Sequence, residues 1–251
     1  MTIQLIALTG IGEVAGGSDL VQVLGEALER SDISLRTNDI LVVAQKIVSK
    51  AEGRLVDLAT VTPSGRAIDL AGITRKDPRV VELILSESVE VMRAIPNVLI
   101  VRHRLGLVMA NAGIDRSNIG TQSEAALLLP VDPDGSAGRL RAGLLTRFGV
   151  APAVVISDSF GRAWRFGTVN VAIGAAGLPT LVDRRGDRDR DGRVLESTEI
   201  ALGDAVGAAA GLAMGEADEG QPAVLLRGLT WMAPDSPARS LIRPLKQDLF
   251  P

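Results

Sequence analysis

The stretch Ile156-Ser157-Asp158-Ser159-Phe160-Gly161-Arg162-Ala163-Trp164-Arg165 holds the densest group of chemically capable side chains in the chain. An Asp–Ser pair at the end of an apolar strand can ligate a hard cation through carboxylate and hydroxyl. Gly161 permits a sharp turn. Arg162 and Arg165 carry fork-shaped donors suited to phosphate. The plain alternative is a strand–turn junction, where Asp and Ser are common. The stretch Asn111-Ala112-Gly113-Ile114-Asp115-Arg116-Ser117-Asn118 sets another carboxylate and two amides just after a strand, beside a glycine that allows close backbone approach. Its alternative is an Asx-type turn. Met214-Gly215-Glu216-Ala217-Asp218-Glu219-Gly220 ends a helix with three carboxylates. Glu216 is a candidate third metal-binding carboxylate; otherwise the segment is a glycine C-cap and a solvated turn. Lys50, in the stretch after a further strand, is either a phosphate ligand or a surface lysine.

Composition narrows this chemistry. The 251 residues contain no cysteine and one histidine. That excludes a disulfide scaffold, a thiolate zinc site, a cysteine nucleophile and any metal site needing two imidazoles. A metal is therefore held by oxygen, which points to Mg²⁺, Mn²⁺ or Ca²⁺. Lys plus Arg is 27 and Asp plus Glu is 30, giving a net charge of −3. Without a large basic field, neither nucleic acid nor a membrane surface is an expected partner. The N-terminus, MTIQLIALTGIGEV, lacks the basic and apolar regions of a signal peptide. No apolar run approaches the roughly 20 residues needed to span a bilayer. The expected location is the cytoplasm.

Two motifs match only in part. Gly10-Ile11-Gly12-Glu13-Val14-Ala15 satisfies the loose dinucleotide pattern after a strand. The helix expected to open at those glycines starts later, at Ser18, and the second strand runs into Gln45 and Lys46 rather than an acid. Asp187, Asp189 and Asp191 have the spacing of a calcium loop, but its closing position is Thr198 and Glu199 comes one residue late. The run Asp183–Arg193 around them reads either as a solvated loop or as a mobile arginine-bearing cover for anionic substrates.

The elements that must carry these residues are read from periodicity and turn signals. Strands are expected at Ile3–Leu8, Asp39–Ala44, Val98–Arg102, Gly106–Met109, Ala153–Ser157, Gly167–Gly174 and Pro222–Leu226. Helices are expected from a Ser18 cap to Arg30, over Pro63–Ala71 and Pro78–Met92, from a Ser136 cap to Arg147, and over Glu199–Met214. His103 is expected on a strand surface. Aromatic residues make up 2% of the chain, so the core is aliphatic, and three of the six lie between Phe160 and Phe166. Helices and strands alternate without strict βαβ order. The fold class is α+β, or mixed α/β, over a single domain 1–251 with room for two subdomains.

In order along the chain, the words VVAQKIVSKAEGR, NAGIDRSN, LLLPVDPDGSA, VVISDSFGRAWRFG, AIGAAG and MGEADEGQPAVLLRGL closely resemble the coenzyme F-420-0:γ-glutamyl ligase family. The resemblance implies that family's unusual α+β fold and an intertwined homodimer. It implies phosphorylation of a deazaflavin-precursor carboxylate by GTP, followed by attack of the L-glutamate amine. A second round adds a γ-linked glutamate. Two divalent ions, Mg²⁺ or Mn²⁺, and a K⁺ would assist. By motif, Asp115 and Asp158 resemble catalytic ligands of one divalent ion, and Ser159 and Glu216 ligands of a second. Asn118 would contact the nucleotide. Ile11, Gly12, Glu13, Val14, Gln45, Lys46, Lys50, Met214, Gly215, Glu216, Ala217, Asp218, Glu219, Gly220 and Gln221 would line its site. The family usually has Pro where Gly12 stands and often an acid at Ser18. Some relatives carry a following flavin-binding, nitroreductase-like domain, which is not expected within these residues. The rival readings are a non-catalytic nucleotide- or calcium-binding module, and a ligase of the same fold acting on another carboxylic acid.

Overall fold

A computed structural model describes residues 2–117 and 124–248. The elements run β1 (Gln4–Ala7), α1 (Leu20–Arg30), β2 (Ile40–Ala44), α2 (Gln45–Ala51), β3 (Leu55–Asp57), α3 (Gly65–Thr74), α4 (Pro78–Ser86), β4 (Ser88–Ile95), β5 (Val98–His103), β6 (Val108–Ala110), β7 (Ala125–Leu127), α5 (Pro133–Phe148), β8 (Ala153–Gly161), β9 (Thr168–Ala176), β10 (Leu181–Asp183), β11 (Glu199–Ala201), α6 (Leu202–Met214) and β12 (Ala223–Arg227). This is a mixed α/β architecture.

A five-stranded sheet of order β1-β12-β2-β8-β9 forms the centre. Only β2 and β8 are parallel within it, in the register Ile40↔Ala153 to Ala44↔Ser157. The apolar runs ILVVA and AVVIS put successive side chains on opposite faces, so both faces of these strands are greasy. Leu41, Val43, Val154 and Ile156 pack with Leu24 and Leu28 of α1 and Leu140 and Leu144 of α5. Ile40, Val42 and Val155 pack with Val206, Ala210 and Met214 of α6 on the other face. Each large aliphatic side chain buried this way contributes about 1.5–3 kcal/mol. Helices α3 and α4 cover the smaller antiparallel sheet β4-β5-β6 around a separate cluster that includes Val81, Ile84, Leu99 and Val101. Among the described residues no helix is long and apolar enough to cross a membrane.

Several sequence expectations are corrected. The helix from Pro78 stops at Ser86, and Ser88–Ile95 is a strand paired with β5. The apolar run there continues into Val89, Val91 and Met92, but the Glu87 carboxylate is drawn to Arg54 at 2.9 Å and Arg104 at 3.0 Å, and the chain leaves the helix at that point. The cap of α1 is Asp19, which accepts from the N–H groups of Val21 and Gln22, while Ser18 accepts from Ala15. The cap of α5 is Asp132, three residues ahead of Pro133's first turn partner Gly135, and Ser136 instead bonds to Glu52. Glu199 belongs to β11, paired with β10, so α6 begins at Leu202. His103 is fully buried, not on a surface: Nδ1 accepts from the Leu105 N–H at 2.9 Å, and Nε2 faces Glu87 at 3.4 Å.

Candidate functional site

The parallel pairing of β2 and β8 ends at Ala44 and Ser157, and both segments open there onto one cleft. Ligand sites in open α/β sheets form beyond the carboxyl ends of parallel strands. Here α2 follows β2 without a connecting loop, placing Gln45 and Lys46 at once on the rim. Strand β8 runs on past the parallel pairing, and the β8–β9 ladder shifts register between Ile156 and Ser157. Such a bulge re-aims the side chains that follow it, which here are Ser157, Asp158 and Ser159. The β1–α1 loop and the turn from α6 to β12 close the other sides. The cleft has a volume of about 590 Å³.

Of the residues singled out in the sequence, Ile11, Gly12, Glu13, Val14, Gln45, Lys46, Lys50, Asp115, Asp158, Ser159 and Met214–Gln221 all line this cleft. Asn118 lies outside the described residues. Arg162 and Arg165 do not reach the cleft: they sit on the exposed β8–β9 turn, where Arg162 donates to the Gly167 carbonyl at 3.3 Å. The aromatic group is there too, with Trp164 and Phe166 fully open to solvent. The Asp183–Arg193 run is absent from the cleft lining, and part of its charge is matched locally: Arg184 to Asp187, Arg185 to Asp183 and Glu199. Asp189 accepts from the backbone N–H groups of Asp191 and Arg193, so its carboxylate serves the turn.

Charge is arranged unevenly across the cleft. Lys46 Nζ is 2.7 Å from Asp115 Oδ2 and donates to the Ser117 carbonyl at 3.0 Å. Burial alone would raise the Asp115 carboxyl, but the Lys46 ammonium and the Ser117 N–H and hydroxyl outweigh it and hold it below its ordinary value. Asp158 has the opposite balance. Desolvation pushes its carboxyl up to about 7, against one backbone N–H from Ser159, and the nearby Asp115 charge adds to the rise. The Gln45 amide faces Asp158 and offsets a little of that rise, and its oxygen accepts from the Ser49 hydroxyl at 2.8 Å. Lys50 Nζ lies 2.6 Å from Glu13 Oε1, tying α2 to the β1–α1 loop.

The structure adds residues that sequence reasoning passed over. Asn170, on β9 and nearly buried, donates its side-chain amide to Glu216 Oε1 at 2.7 Å. Ser157 lines the cleft with a buried hydroxyl that has no hydrogen-bond partner among the described residues. The signal for Asn170 was a single amide inside the apolar run TVNVAIGAA; for Ser157 it was the polar residue at the end of AVVIS. The turn after α6 is shaped by Gly215, at φ +73°, where an added Cβ would lie 2.0 Å from the Glu219 carboxylate carbon. Glu219 Oε2 in turn accepts from the Ala217 N–H at 2.8 Å.

Fold and site together define a mixed α/β protein whose cleft offers oxygen donors and two lysines at the ends of parallel strands, suited to a charged ligand and a hard cation. The family model for F420-0:γ-glutamyl ligase matches residues 10–228. A protein named coenzyme F420:L-glutamate ligase from Methanothermobacter thermautotrophicus is 44% identical over 252 residues, covering 100% of this chain and 99% of that relative. Proteins of the same name from Methanopyrus kandleri and Haloarcula marismortui are 46% and 42% identical, covering 95% and 89% of this chain and 93% and 86% of theirs. The chain belongs to the F420-0:γ-glutamyl ligase family.

Proposed function

We propose that this chain ligates L-glutamate to coenzyme F-420-0 at the expense of GTP. Family membership over residues 10–228, with the family's motif residues meeting in one cleft, carries the reading. In the first half-reaction a carboxylate oxygen of F-420-0 attacks the γ-phosphorus of GTP. A carbonyl C–O–P bond forms, the bond between the β,γ-bridging oxygen and the γ-phosphorus breaks, and GDP leaves. In the second, the glutamate amine attacks the acyl carbon, the amide forms, and phosphate departs while the amine proton passes to solvent. A further cycle on the product adds a γ-linked residue.

The donor set fits hard divalent ions, Mg²⁺ or Mn²⁺. It is made of oxygens only, and the mutual repulsion of Asp115 and Asp158 is relieved by a cation between them. No group of three carboxylate or imidazole ligands gathers among the described residues. Pairs suffice, because Mg²⁺ is commonly bound by one or two carboxylates with water and substrate phosphate completing the shell. Asp115 and Asp158 would hold one ion, and Ser159 and Glu216 the other, with K⁺ alongside. Such ions neutralise charge on the transferred phosphoryl group. The protein's own part is positional. Gln45 orients Asp158, Asn170 orients Glu216, and Lys46 keeps Asp115 ionised. The α6–β12 turn and the Ile11–Val14 loop enclose the nucleotide and exclude water that would hydrolyse the acyl phosphate.

We further propose that the chain acts as one domain within a homodimer; the exposed Phe166 on the β8–β9 turn supports this as apolar surface open to a second copy. The test of the activity is incubation with F-420-0, L-glutamate, GTP and Mn²⁺, followed by mass analysis. Products heavier by whole glutamyl residues, with GDP released in step, are expected. Nucleotide binding without turnover would favour the non-catalytic alternative, and GTP hydrolysis without a glutamylated product would favour another acid substrate.

A further inference from the structure

A second cavity, of about 520 Å³, adjoins the cleft and shares Asp115 and Ser117 with it. Its other lining includes Arg75, Lys76, Asp77, Asn111 and Arg116. We propose that it is an anion subsite, holding the carboxylate or phosphate group of a substrate other than the nucleotide. The proposal rests on the ligase reading above and specifies where that reaction's second anionic partner sits.

Three cations and two carboxylates line the cavity, and the carboxylates are already matched. Asp77 is gripped by Arg79, with Nη2 2.6 Å from Oδ2 and Nε 3.1 Å from Oδ1. Asp115 is matched by Lys46 at 2.7 Å. Arg75 and Lys76 form no ion pair with any described residue, so their charge is directed to whatever enters. Arg116 lies near enough to favour ionised Asp77, which places it with the other two. The corner is also rigid. Arg75 caps α3 in the left-handed region, at φ +55°, and the N–H of Lys76 returns to the Ala71 carbonyl at 3.3 Å. Asp77 then caps α4 by accepting from Arg79. Two adjacent cations are thus held between two helix ends rather than on a mobile loop.

A second feature points to a ligand. Asn111 lines this wall, and its side-chain oxygen is buried with no hydrogen-bond partner among the described residues. A buried unpaired acceptor costs roughly 1–3 kcal/mol, which a ligand donor recovers when the amide turns toward the cavity. The cavity therefore offers cations for an anion and one acceptor for an N–H or O–H. Both non-nucleotide substrates carry that combination: F-420-0 has acidic groups with amide and hydroxyl donors, and L-glutamate has two carboxylates and an ammonium. The shared wall at Asp115 lets a substrate anchored here extend its reacting group toward the γ-phosphate.

The test uses Arg75→Asn with Lys76→Gln, since Asn tolerates the left-handed backbone at position 75, and Lys76→Glu as a second variant. The KM values for F-420-0, L-glutamate and GTP are measured separately, with melting curves to check folding. Losing charge-assisted contacts should raise the KM of one non-nucleotide substrate about tenfold while that of GTP stays within about twofold. The charge reversal should raise it further. A rise for F-420-0 assigns the precursor's anionic group, and a rise for glutamate assigns the amino acid's carboxylates. Unchanged KM values for both, or a rise for GTP alone, would overturn the subsite while leaving the ligase reading intact. Calorimetric titration of each substrate into GDP-loaded protein separates the two without turnover. Equal binding by wild type and variants rejects the subsite, and a wild type that binds neither substrate rejects the ligase reading together with it.

Discussion

The side-chain amide of Asn170 donates to the Glu216 carboxylate across 2.7 Å, joining the central sheet to the turn that follows α6. Glu216 is otherwise on an exposed turn, and Asn170 is nearly buried. The strand therefore sets where this carboxylate can point. Asn170→Ala should reduce kcat/KM by about 10- to 100-fold, the range for losing a hydrogen bond to a charged group, and should raise the Mn²⁺ concentration needed for half-maximal rate. The same displacement can be reached from α6: a Cβ at Gly211 would lie 2.5 Å from the Asn170 amide nitrogen. Gly211→Ala should therefore copy the metal dependence of Asn170→Ala even though it favours helix formation. A wild-type Mn²⁺ titration in both variants would show that Glu216 does not depend on Asn170.

Asp158→Asn should abolish ligation and yet leave a more stable apoprotein. Asp158 is desolvated beside Asp115, so its negative charge works against folding when no cation is bound. Replacing it with a neutral isostere removes that cost and also removes the ligand on which charge neutralisation depends. Melting temperatures in EDTA, compared with turnover in Mn²⁺, check both halves. Product formation near the wild-type rate would remove Asp158 from the site.

Most of the cleft was legible because its residues are polar interruptions just beyond apolar strands. Asp158 follows AVVIS, Gln45 and Lys46 follow ILVVA, and Glu216 comes after the small-residue helix. Local order was enough to flag them, since a strand end is where a side chain meets both a rigid frame and solvent. Asn170 was not legible, because its partner is 46 residues away in sequence. The end of α4 failed for a related reason. Val89, Val91 and Met92 extend the apolar pattern of the helix, while the partners that hold Glu87 at its end, Arg54 and Arg104, are distant in sequence. His103 was misplaced because the groups that accompany its burial, Glu87 and the Leu105 N–H, are brought to it by that same chain reversal. The caps of α1 and α5 missed by one and four residues, because Ser, Thr and Asp serve equally as caps and only geometry selects among them.

Gly215→Ala should weaken nucleotide binding without unfolding the protein. The position has φ +73°, which disfavours any residue with a Cβ, and the new methyl would meet the Glu219 carboxylate at 2.0 Å. Either the Glu219 carboxylate swings aside and releases the Ala217 N–H that it holds, or the turn opens and takes Glu216 with it. A strained left-handed or extended-positive backbone costs about 1–3 kcal/mol, which converts to roughly 5- to 150-fold in affinity if the turn yields only on binding. GDP titration by calorimetry reads the change, and an unaltered GDP affinity would show that the turn does not shape the nucleotide site.

The last prediction concerns acid stability and the cluster around Glu87. Burial alone would raise this carboxyl, but the nearby His103 and the Arg54 and Arg104 guanidinium groups more than reverse it and bring it down to about 2 from an ordinary value of 4.5. A depressed carboxyl binds its proton less readily in the folded chain than in the unfolded one. Its stabilising contribution is therefore complete above about pH 4.5 and is lost as pH falls toward 2, because the unfolded state takes up the proton first. The linkage is worth about 3 kcal/mol at its full extent, taking 1.36 kcal/mol per pH unit as the scale. Glu87 joins the end of α4 to Arg54 before β3 and to the His103–Arg104 corner, so the loss loosens the α3–α4 lobe against the central sheet. Glu87→Gln should lower stability at pH 7, leaving Arg54 without its carboxylate, and should flatten the fall between pH 4.5 and 2. Urea unfolding of both proteins across that range gives the two slopes, and parallel slopes would show that Glu87 does not govern the acid limb.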